Sequence, residues 1–287
     1  MSNMQKQVKV FLYAVIVTIG GFVFGLDLGV IAGTFSYIQA QFGLTDMQIG
    51  TVGAAPGFGA IFALLFAGWV SNKIGRKKTL VLIAALYLLS AITSALAPGY
   101  WTLVAARFLG GLAFCSLAIA AMYIGEIAPN HIRGRMVAMN QINITIGLTV
   151  AYFVNYLLQQ GADSGAGWAA SINLEATAWR YMLGSEIIPA LIWLILLALI
   201  PESPRWLMTV GRLDEARKQM TRIMPSEKIE QEIESIQQSM AMTHEAKTLG
   251  TQLRELVSRH ARKAAVLGVV IAIIQPITGI NAILTYA

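Results

Sequence analysis

Two charged residues lie inside stretches that are otherwise apolar, and their types suggest proton chemistry. Asp27 lies within the glycine-rich stretch that closes the first long apolar run, and Arg107 lies in a later run. A charged side chain in the hydrocarbon core of a membrane costs about 2.5–3.5 kcal/mol even on lenient insertion scales. An opposite-charge pair is the cheapest way to hold either residue there, so we expect Asp27 and Arg107 to be partners.

The pair has two interpretations. An arginine neighbour favours the ionised form of a carboxylate, whereas burial without that neighbour favours the protonated form. A helix movement that makes and breaks the pair would therefore bind and release a proton. The alternative is a static ion pair that only fixes helix packing.

A second group of charged residues lies at the ends of apolar runs. Its members are Arg76, Glu126, Arg133, Arg135, Glu202 and Arg205. Because the arginine fork matches carboxylate geometry, we expect arginines to pair with Glu126 and Glu202 across helices and to form a gating network. A role in setting membrane orientation is the alternative. It explains Glu126 poorly, since acids contribute little to orientation.

Uncharged polar side chains inside apolar runs form a third group. Gln141 and Asn143 lie on one run, and Gln275 and Asn281 lie on the last one. Amides suit a ligand rich in hydroxyls, because they offer donors and acceptors together. Interhelical hydrogen bonding is the alternative for each. Phe24, one turn before Asp27, is a candidate to pack on a sugar ring, with ordinary helix contact as its alternative.

The composition shows which elements must position these groups. The chain is 56% hydrophobic and 13% charged, with a mean hydropathy of +0.63, whereas soluble domains carry about 25% charged residues. Its apolar runs have the length of about 20 residues that crosses a bilayer. We therefore expect an all-α polytopic membrane protein. Its net charge of +6 is not a nucleic-acid footprint, because lysine and arginine cluster at the ends of the runs.

Seven transmembrane spans are predicted. They cover residues 9–33, 48–70, 79–97, 101–125, 136–158, 182–200 and 264–287. Basic residues follow the second and fourth spans, so the positive-inside rule places the N-terminus in the cytoplasm. Residues 160–178 are rich in Gly, Ala and Ser and are predicted to form a mobile outer loop. The first span is expected to be an uncleaved helix rather than a signal peptide.

The segment after the sixth span predicts short amphipathic cytoplasmic helices. Apolar residues recur at helical spacing in three stripes: Leu213, Ala216, Met220 and Ile223; Ile229, Ile233, Ile236 and Met240; and Leu253, Leu256 and Val257. The expected organisation is a six-helix bundle over residues 1–200, a cytoplasmic helical domain over 201–263, and a seventh transmembrane helix over 264–287.

Several motifs resemble the sugar porter family of the major facilitator superfamily, most closely its bacterial xylose–proton symporters. They are Arg107-Phe108-Leu109-Gly110-Gly111, the segment from Tyr123 to Pro129 with Arg133-Gly134-Arg135, Pro201-Glu202-Ser203-Pro204-Arg205-Trp206-Leu207, and Gly279-Ile280-Asn281. The resemblance implies the N-terminal half of a major facilitator fold. It also implies proton coupling by Asp27 and Arg107, and sugar contacts by Phe24, Gln141, Gln275 and Asn281.

The chain also departs from the family pattern. Asn72 replaces the usual acid after the second span, and Pro276 stands where a second sugar-binding glutamine is usual. The family has twelve spans, so the resemblance implies a truncated chain that is inactive alone. The polar face with Asp27 and Arg107 would then face lipid, unless another chain supplies the missing half.

The expected function is proton-coupled sugar symport by alternating access across the plasma (inner) membrane, with a pentose or hexose and protons as partners and without a cofactor or metal. Two alternatives stay open. One is a facilitative porter for a sugar or a polyol such as inositol. The other is a non-transporting half-porter that acts as a sensor or assembly partner. An enzyme is not expected, since the sequence contains no metal-ligand cluster, nucleophile elbow or phosphate-binding loop.

Overall fold

Six helical segments are long and apolar enough to cross a membrane in the part of the chain that the structure describes. The computed structural model describes residues 3–129, 131–164, 167–244 and the single positions 266, 267, 270 and 274. The six segments are Met4–Phe42, Asp46–Ile74, Arg76–Ala95, Tyr100–Ile127, Arg133–Asp163 and Leu174–Leu199. The all-α class and the first six predicted spans are confirmed. The predicted span 264–287 and the apolar stripe at 253–257 lie almost wholly outside the described residues.

Twelve α-helices follow one another along the described residues. They are α1 (Asn3–Phe42), α2 (Asp46–Ile74), α3 (Arg76–Ala95), α4 (Tyr100–Leu112), α5 (Ser116–Ile127), α6 (Arg133–Asp163), α7 (Gly167–Ser171), α8 (Leu174–Gly184), α9 (Ile187–Leu196), α10 (Pro204–Thr209), α11 (Leu213–Ile223) and α12 (Ile229–His244). A 3₁₀ turn, Ala113–Cys115, joins α4 to α5 inside the fourth span. The sixth span is made of α8 and α9.

Most of the helices are longer than the apolar runs that predict them. The second span, for example, begins at Asp46 because Thr45 caps it. The Thr45 hydroxyl accepts from the Gln48 N–H, and the Gln48 side chain accepts from the Thr45 N–H. Such a capping box satisfies helix N–H groups that have no partner inside the helix. Hydropathy detects the apolar run but not these polar ends.

The prediction that residues 160–178 form one outer loop is wrong, because helices cover much of this range. The helix α6 continues to Asp163, and α8 already begins at Leu174. Leu174, Ala178 and Trp179 are buried in an apolar cluster, and the Trp179 indole donates to Gln41 Oε1 at 2.6 Å. The small residues pack between helices here, so a composition typical of loops does not make a loop.

The first and fifth spans approach each other closely through glycines. A Cβ placed on Gly25 would lie 2.1 Å from the backbone carbonyl oxygen of Ile144, and one on Gly147 would lie 2.1 Å from that of Phe22. Further along the same contact, Asn155 Nδ2 donates to the Gly29 carbonyl at 3.0 Å. Small residues permit such close helix packing in membranes, so α1 and α6 form a tightly packed pair.

The chain divides into two compact units, Met1–Ile223 and Met224–Ala287. The first contains the six spans together with α10 and α11. On α11 the residues Ala216, Met220 and Ile223 are buried, while Leu213, also predicted in that stripe, is exposed. In the second unit, Ile229, Ile233 and Ile236 are buried along one face of α12. Both helices have the amphipathic pattern predicted from the sequence.

Candidate functional site

Asp27 and Arg107 are in direct contact inside the bundle. Arg107 Nη2 donates to Asp27 Oδ2 at 3.1 Å, and Nη1 donates to Asp27 Oδ1. Asp27 is 1% exposed and Arg107 is 2% exposed. A two-point contact of this kind orients both groups, because the planar guanidinium fork matches the carboxylate. The helices α1 and α4 therefore hold a buried, bidentate ion pair.

A second buried acid belongs to the same cluster. Glu186, between α8 and α9, is 3% exposed. Its carboxyl group interacts electrostatically with Asp27 and Arg107 and lies within side-chain hydrogen-bonding range of Asp27. Two carboxyl groups and one guanidinium thus lie in one buried cluster, so full ionisation would leave one negative charge without a positive counterpart in it.

The expectation that Asp27 and Arg107 face lipid is wrong. The two charged side chains point between the helices of the bundle, where Glu186 also lies. Each charge finds a partner within the first unit, which avoids the cost of placing it against hydrocarbon. The pair therefore needs no other chain to shield it.

Two of the candidate sugar contacts, Phe24 and Gln141, lie on α1 and α6. Phe24 is half-buried and packs edge-to-face on Phe114, with ring centroids 4.6 Å apart. Gln141 is exposed on the same helix as Asn143. Asn143 Nδ2 donates to Thr18 Oγ1 at 2.9 Å, so this amide makes the interhelical bond given as its alternative role. Gln275 and Asn281, as well as Pro276, lie outside the described residues.

The turn between α2 and α3 carries an ion pair at one end of the bundle, which we call the basic end after Lys73, Arg76 and Lys77. Arg76 Nε donates to both carboxylate oxygens of Glu126 at 3.1 Å. Its Nη1 donates to the Ser71 carbonyl at 3.1 Å and to Asn72 Oδ1 at 3.0 Å. One side chain thereby ties the second span to the end of the fourth.

The segment after the sixth span contacts the same turn. Glu202 Oε1 accepts from the backbone N–H of Lys77 at 3.0 Å, and the Trp206 indole donates to the Asn72 carbonyl at 2.8 Å. Gly75 has a φ of +99° and leaves no room for a Cβ, which would lie 2.4 Å from Glu202 Oε2. The turn thus requires glycine.

The other arginines predicted in the gating network have different surroundings. Arg133 and Arg135 are exposed, and Arg133 Nη2 donates to the backbone carbonyl of Ala128 at 3.4 Å. Arg205 is exposed as well. The arginine that pairs with Glu126 in the structure is Arg76.

Comparison with known proteins identifies the family of the chain. The sequence model of the family described as "Sugar (and other) transporter" matches residues 13–287. The chain belongs to the sugar transporter family. Its members are transporters and not enzymes, and with its apolar helices the chain is a multi-pass membrane protein.

Individual relatives are similar over nearly the whole chain. The galactose-proton symporter of Escherichia coli is 35% identical over 96% of this chain and 56% of its own length. The arabinose-proton symporter of Bacillus subtilis is 32% identical over 93% of this chain and 55% of its own length. The chain thus spans just over half the length of these relatives.

A solved structure has the same fold. The xylose transporter XylE of Escherichia coli, in a partially occluded inward-open conformation, superposes with a TM-score of 0.81 at 31% identity, over 97% of this chain and 66% of that chain. A second structure of XylE, described there as a proton:xylose symporter of the major facilitator superfamily, is likewise similar, with a TM-score of 0.77 at 32% identity, over 87% of this chain and 56% of that chain. The membership of this chain in the major facilitator superfamily is confirmed.

Glu186 is missing from the site residues predicted from the sequence. The signal that identifies Asp27, an acid within an apolar run, applies equally to Glu186 in the run 182–200. Its position in space could not be predicted, because the sixth span shows no spacing that relates it to α1. Asn72, which departs from the family pattern, accepts hydrogen bonds from Arg76 and Trp206.

Proposed function

We propose that this chain forms the N-terminal half of a proton-coupled sugar porter that works by alternating access. The observation that carries the proposal is the buried cluster of Asp27, Arg107 and Glu186. Ionisable groups inside spans are expensive and mark proton or substrate pathways. Relatives named as galactose-proton and arabinose-proton symporters support this assignment.

The proton site consists of two carboxyl groups and one guanidinium. One proton shared between Asp27 and Glu186 removes the uncompensated negative charge and leaves a neutral set of groups with Arg107. When the proton leaves, the extra charge raises the cost of the closed arrangement. Proton binding and release thereby favour different arrangements of α1, α4 and the sixth span.

The sugar site lies beside the proton site. Phe24 is one helical turn from Asp27, and its ring offers an apolar face to a sugar ring. Gln141 offers an amide donor and acceptor on the neighbouring helix α6. Gln275 and Asn281 complete the proposed set. A pentose or hexose is the proposed ligand class.

The charged groups at the basic end keep that side of the bundle closed in one half of the cycle. Arg76 with Glu126, and Glu202 with the α2–α3 turn, are the contacts that opening would break. We assign Arg133, Arg135 and Arg205 to the same network. The basic end faces the cytoplasm in an inner-membrane protein whose N-terminus is cytoplasmic.

The proposed domain organisation follows from these roles. Residues 1–200 form the transmembrane bundle that carries the proton site. Residues 201–263 form a cytoplasmic helical domain, and residues 264–287 form a seventh transmembrane helix. Rocking of one bundle against another around a midplane site is the general mode of such transporters. A second bundle, on this or another chain, is the partner that this mechanism requires.

Uptake measurements test the proposal. With this half and the second bundle that the mechanism requires reconstituted together in proteoliposomes, an inward proton gradient should drive accumulation of labelled xylose, galactose or arabinose. The Asp27→Asn variant should lose accumulation against a gradient but retain counterflow. The Asp46→Asn variant is the control, because Asp46 is exposed at the start of α2. Accumulation by the Asp27→Asn variant with an unchanged pH dependence would contradict the coupling role.

The same assay separates the alternatives. Uptake that equilibrates sugar and ignores the proton gradient would identify a facilitator for a sugar or a polyol. Sugar binding without uptake would instead identify a sensor or assembly partner. Either result would overturn symport.

A further inference from the structure

Five buried polar atoms around the proton site have no hydrogen bond of normal geometry within the protein. They are Arg107 Nε, Glu186 Oε1, Tyr87 Oη, Ser116 Oγ and Trp193 Nε1. Their side chains are at most 3% exposed. Buried polar groups are nearly always paired, because an unmet hydrogen bond costs free energy. Five such atoms from α3, α4, α5 and the sixth span therefore require an explanation.

The five atoms belong to one contiguous region. The rings of Tyr87 and Trp193 are 6.1 Å apart between centroids. The Tyr87 hydroxyl faces Ser116 and lies within electrostatic range of Asp27 and Glu186. Gly20 of α1 closes the region, since a Cβ there would lie 2.6 Å from the Trp193 ring and 3.4 Å from Ser116 Cβ.

The region extends along the bundle from the proton site toward the basic end. Trp193 is seven residues after Glu186 in the sixth span, and Gly20 is seven residues before Asp27 in α1. Seven residues of helix correspond to about 10 Å. Trp193 is thus about two helical turns from Glu186, and Gly20 is about two turns from Asp27, both toward the basic end. Ser116, which lies beside Gly20, is displaced from the acids in the same direction.

The chemistry of the five atoms matches water as their shared partner. Arg107 Nε and Trp193 Nε1 can only donate, whereas the hydroxyls of Tyr87 and Ser116 both donate and accept. Water molecules at the two ends of the region can accept from these N–H groups, and the water beside the acids can donate to Glu186. Buried waters typically make about three hydrogen bonds to polar groups that are otherwise unsatisfied.

We propose that ordered water binds between Glu186, Tyr87, Ser116 and Trp193, and that Tyr87 and Ser116 act through this water as positioning residues that set the proton affinity of Glu186. This inference rests on the proposed function, because it concerns the same acid pair. It adds a hydrated compartment inside the bundle to the proposed proton site.

The charged and titratable neighbours of Glu186 come from three directions. They are Asp27 on α1, Arg107 on α4 and Tyr87 on α3. Cys115, in the 3₁₀ turn, adds a thiol close to Tyr87. Asp27 and Arg107 interact with Glu186 directly, so their effect persists in variants that change only the hydroxyls. A change in Glu186 titration after removal of the Ser116 hydroxyl therefore reports on the water, whereas removal of the Tyr87 hydroxyl also changes a direct neighbour of Glu186.

Infrared difference spectroscopy of the purified chain in detergent tests the proposal. The carbonyl stretch of a protonated carboxyl group should titrate with pH and should be assigned to Glu186 by its loss in the Glu186→Gln variant. Exchange into oxygen-18 water should shift the O–H stretch of the bound water. Tyr87→Phe and Ser116→Ala should each remove the water signal and change the proton affinity of Glu186 by about two- to tenfold, the equivalent of one hydrogen bond.

Two further variants sharpen the result. Ser116→Thr keeps the hydroxyl and should keep both signals. Ser90→Ala is the matched control, because Ser90 is buried on the same helix as Tyr87 but its hydroxyl donates to the Ala106 carbonyl at 2.8 Å. It should leave the water signal and the titration unchanged.

The proposal is overturned if Tyr87→Phe and Ser116→Ala fold like the wild type and leave both the water signal and the titration midpoint in place. Thermal unfolding establishes whether each variant is folded. If neither acid of the wild type titrates, the proposed proton role fails instead, and the isotope-sensitive signal still decides whether the region is hydrated.

Discussion

The backbone N–H of Lys77 donates to Glu202 Oε1 at 3.0 Å, so the carboxylate after the sixth span caps the first turn of α3. The first N–H groups of a helix have no partner within the helix. A negative charge at this end is also favoured by the helix dipole. The same oxygen accepts from the Ser203 N–H at 2.9 Å, so two backbone groups depend on one carboxylate.

Glu202→Gln should weaken the junction at the basic end. The amide keeps an acceptor oxygen but loses the charge, so we expect a loss of about 1–2 kcal/mol of stability. Amide hydrogen exchange should become faster in the α2–α3 turn around Gly75. Thermal unfolding in detergent and exchange mass spectrometry measure the two effects.

Glu215→Gln is the matched control for this change. Glu215 pairs with Arg212, and both side chains are about half exposed. Exposed pairs contribute only about 0.2–1 kcal/mol. Equal effects of the two substitutions, or faster exchange around Gly75 in both variants, would show that Glu202 has no special role at this junction.

Gly25→Ala should separate α1 from α6. The added methyl group would meet the Ile144 carbonyl at 2.1 Å, which backbone atoms cannot relieve without a shift of a helix. Overpacking of this kind typically costs about 1–3 kcal/mol. We expect a lower unfolding temperature and a displaced Asp27, two residues further along the helix.

Gly57→Ala should not lower stability, in contrast to Gly25→Ala in the same bundle. Gly57 lies in the interior of α2 with no atom within 4 Å of the added Cβ. Alanine is the better helix former by about 1 kcal/mol, so this variant should be unchanged or more stable. If both glycine variants behave alike, close packing at Gly25 is not what makes glycine necessary there.

Gln141→Ala and Asn143→Ala should affect different properties. Gln141 is exposed on α6 in the proposed sugar site, so its removal should weaken sugar binding by about 1–3 kcal/mol if a buried partner group is left unpaired. Asn143 bonds to Thr18, so its removal should lower stability and leave affinity nearly unchanged. Calorimetric titration and thermal unfolding distinguish the two. Unchanged affinity of the Gln141→Ala variant would remove Gln141 from the sugar site.

The sequence suffices to predict contacts where few partners are available. Asp27 and Arg107 are predicted to meet because opposite charges in apolar runs have little else to pair with. At the basic end several arginines could reach Glu126, and the sequence alone could not show that Arg76 is the one in contact. The helices within residues 160–178 could not be predicted either, because small residues are common both in loops and where helices pack closely.

Glu186→Gln should uncouple transport from the proton gradient. In the proposed site one proton is shared between Glu186 and Asp27. An amide side chain cannot bind or release that proton in the working pH range. With the second bundle present, we expect the variant to equilibrate labelled sugar across the membrane but to lose accumulation driven by an inward proton gradient.

The substitution replaces the second carboxyl group by a neutral amide of the same size. Asp27 and Arg107 then form a compensated pair that needs no proton. Glu175→Gln is the control, because Glu175 lies on the neighbouring helix α8 and is exposed. It should accumulate sugar like the wild type in the proteoliposome assay. Accumulation by the Glu186→Gln variant at the wild-type level would place the coupled proton on another group, and the shared-proton arrangement at Asp27 would have to be abandoned.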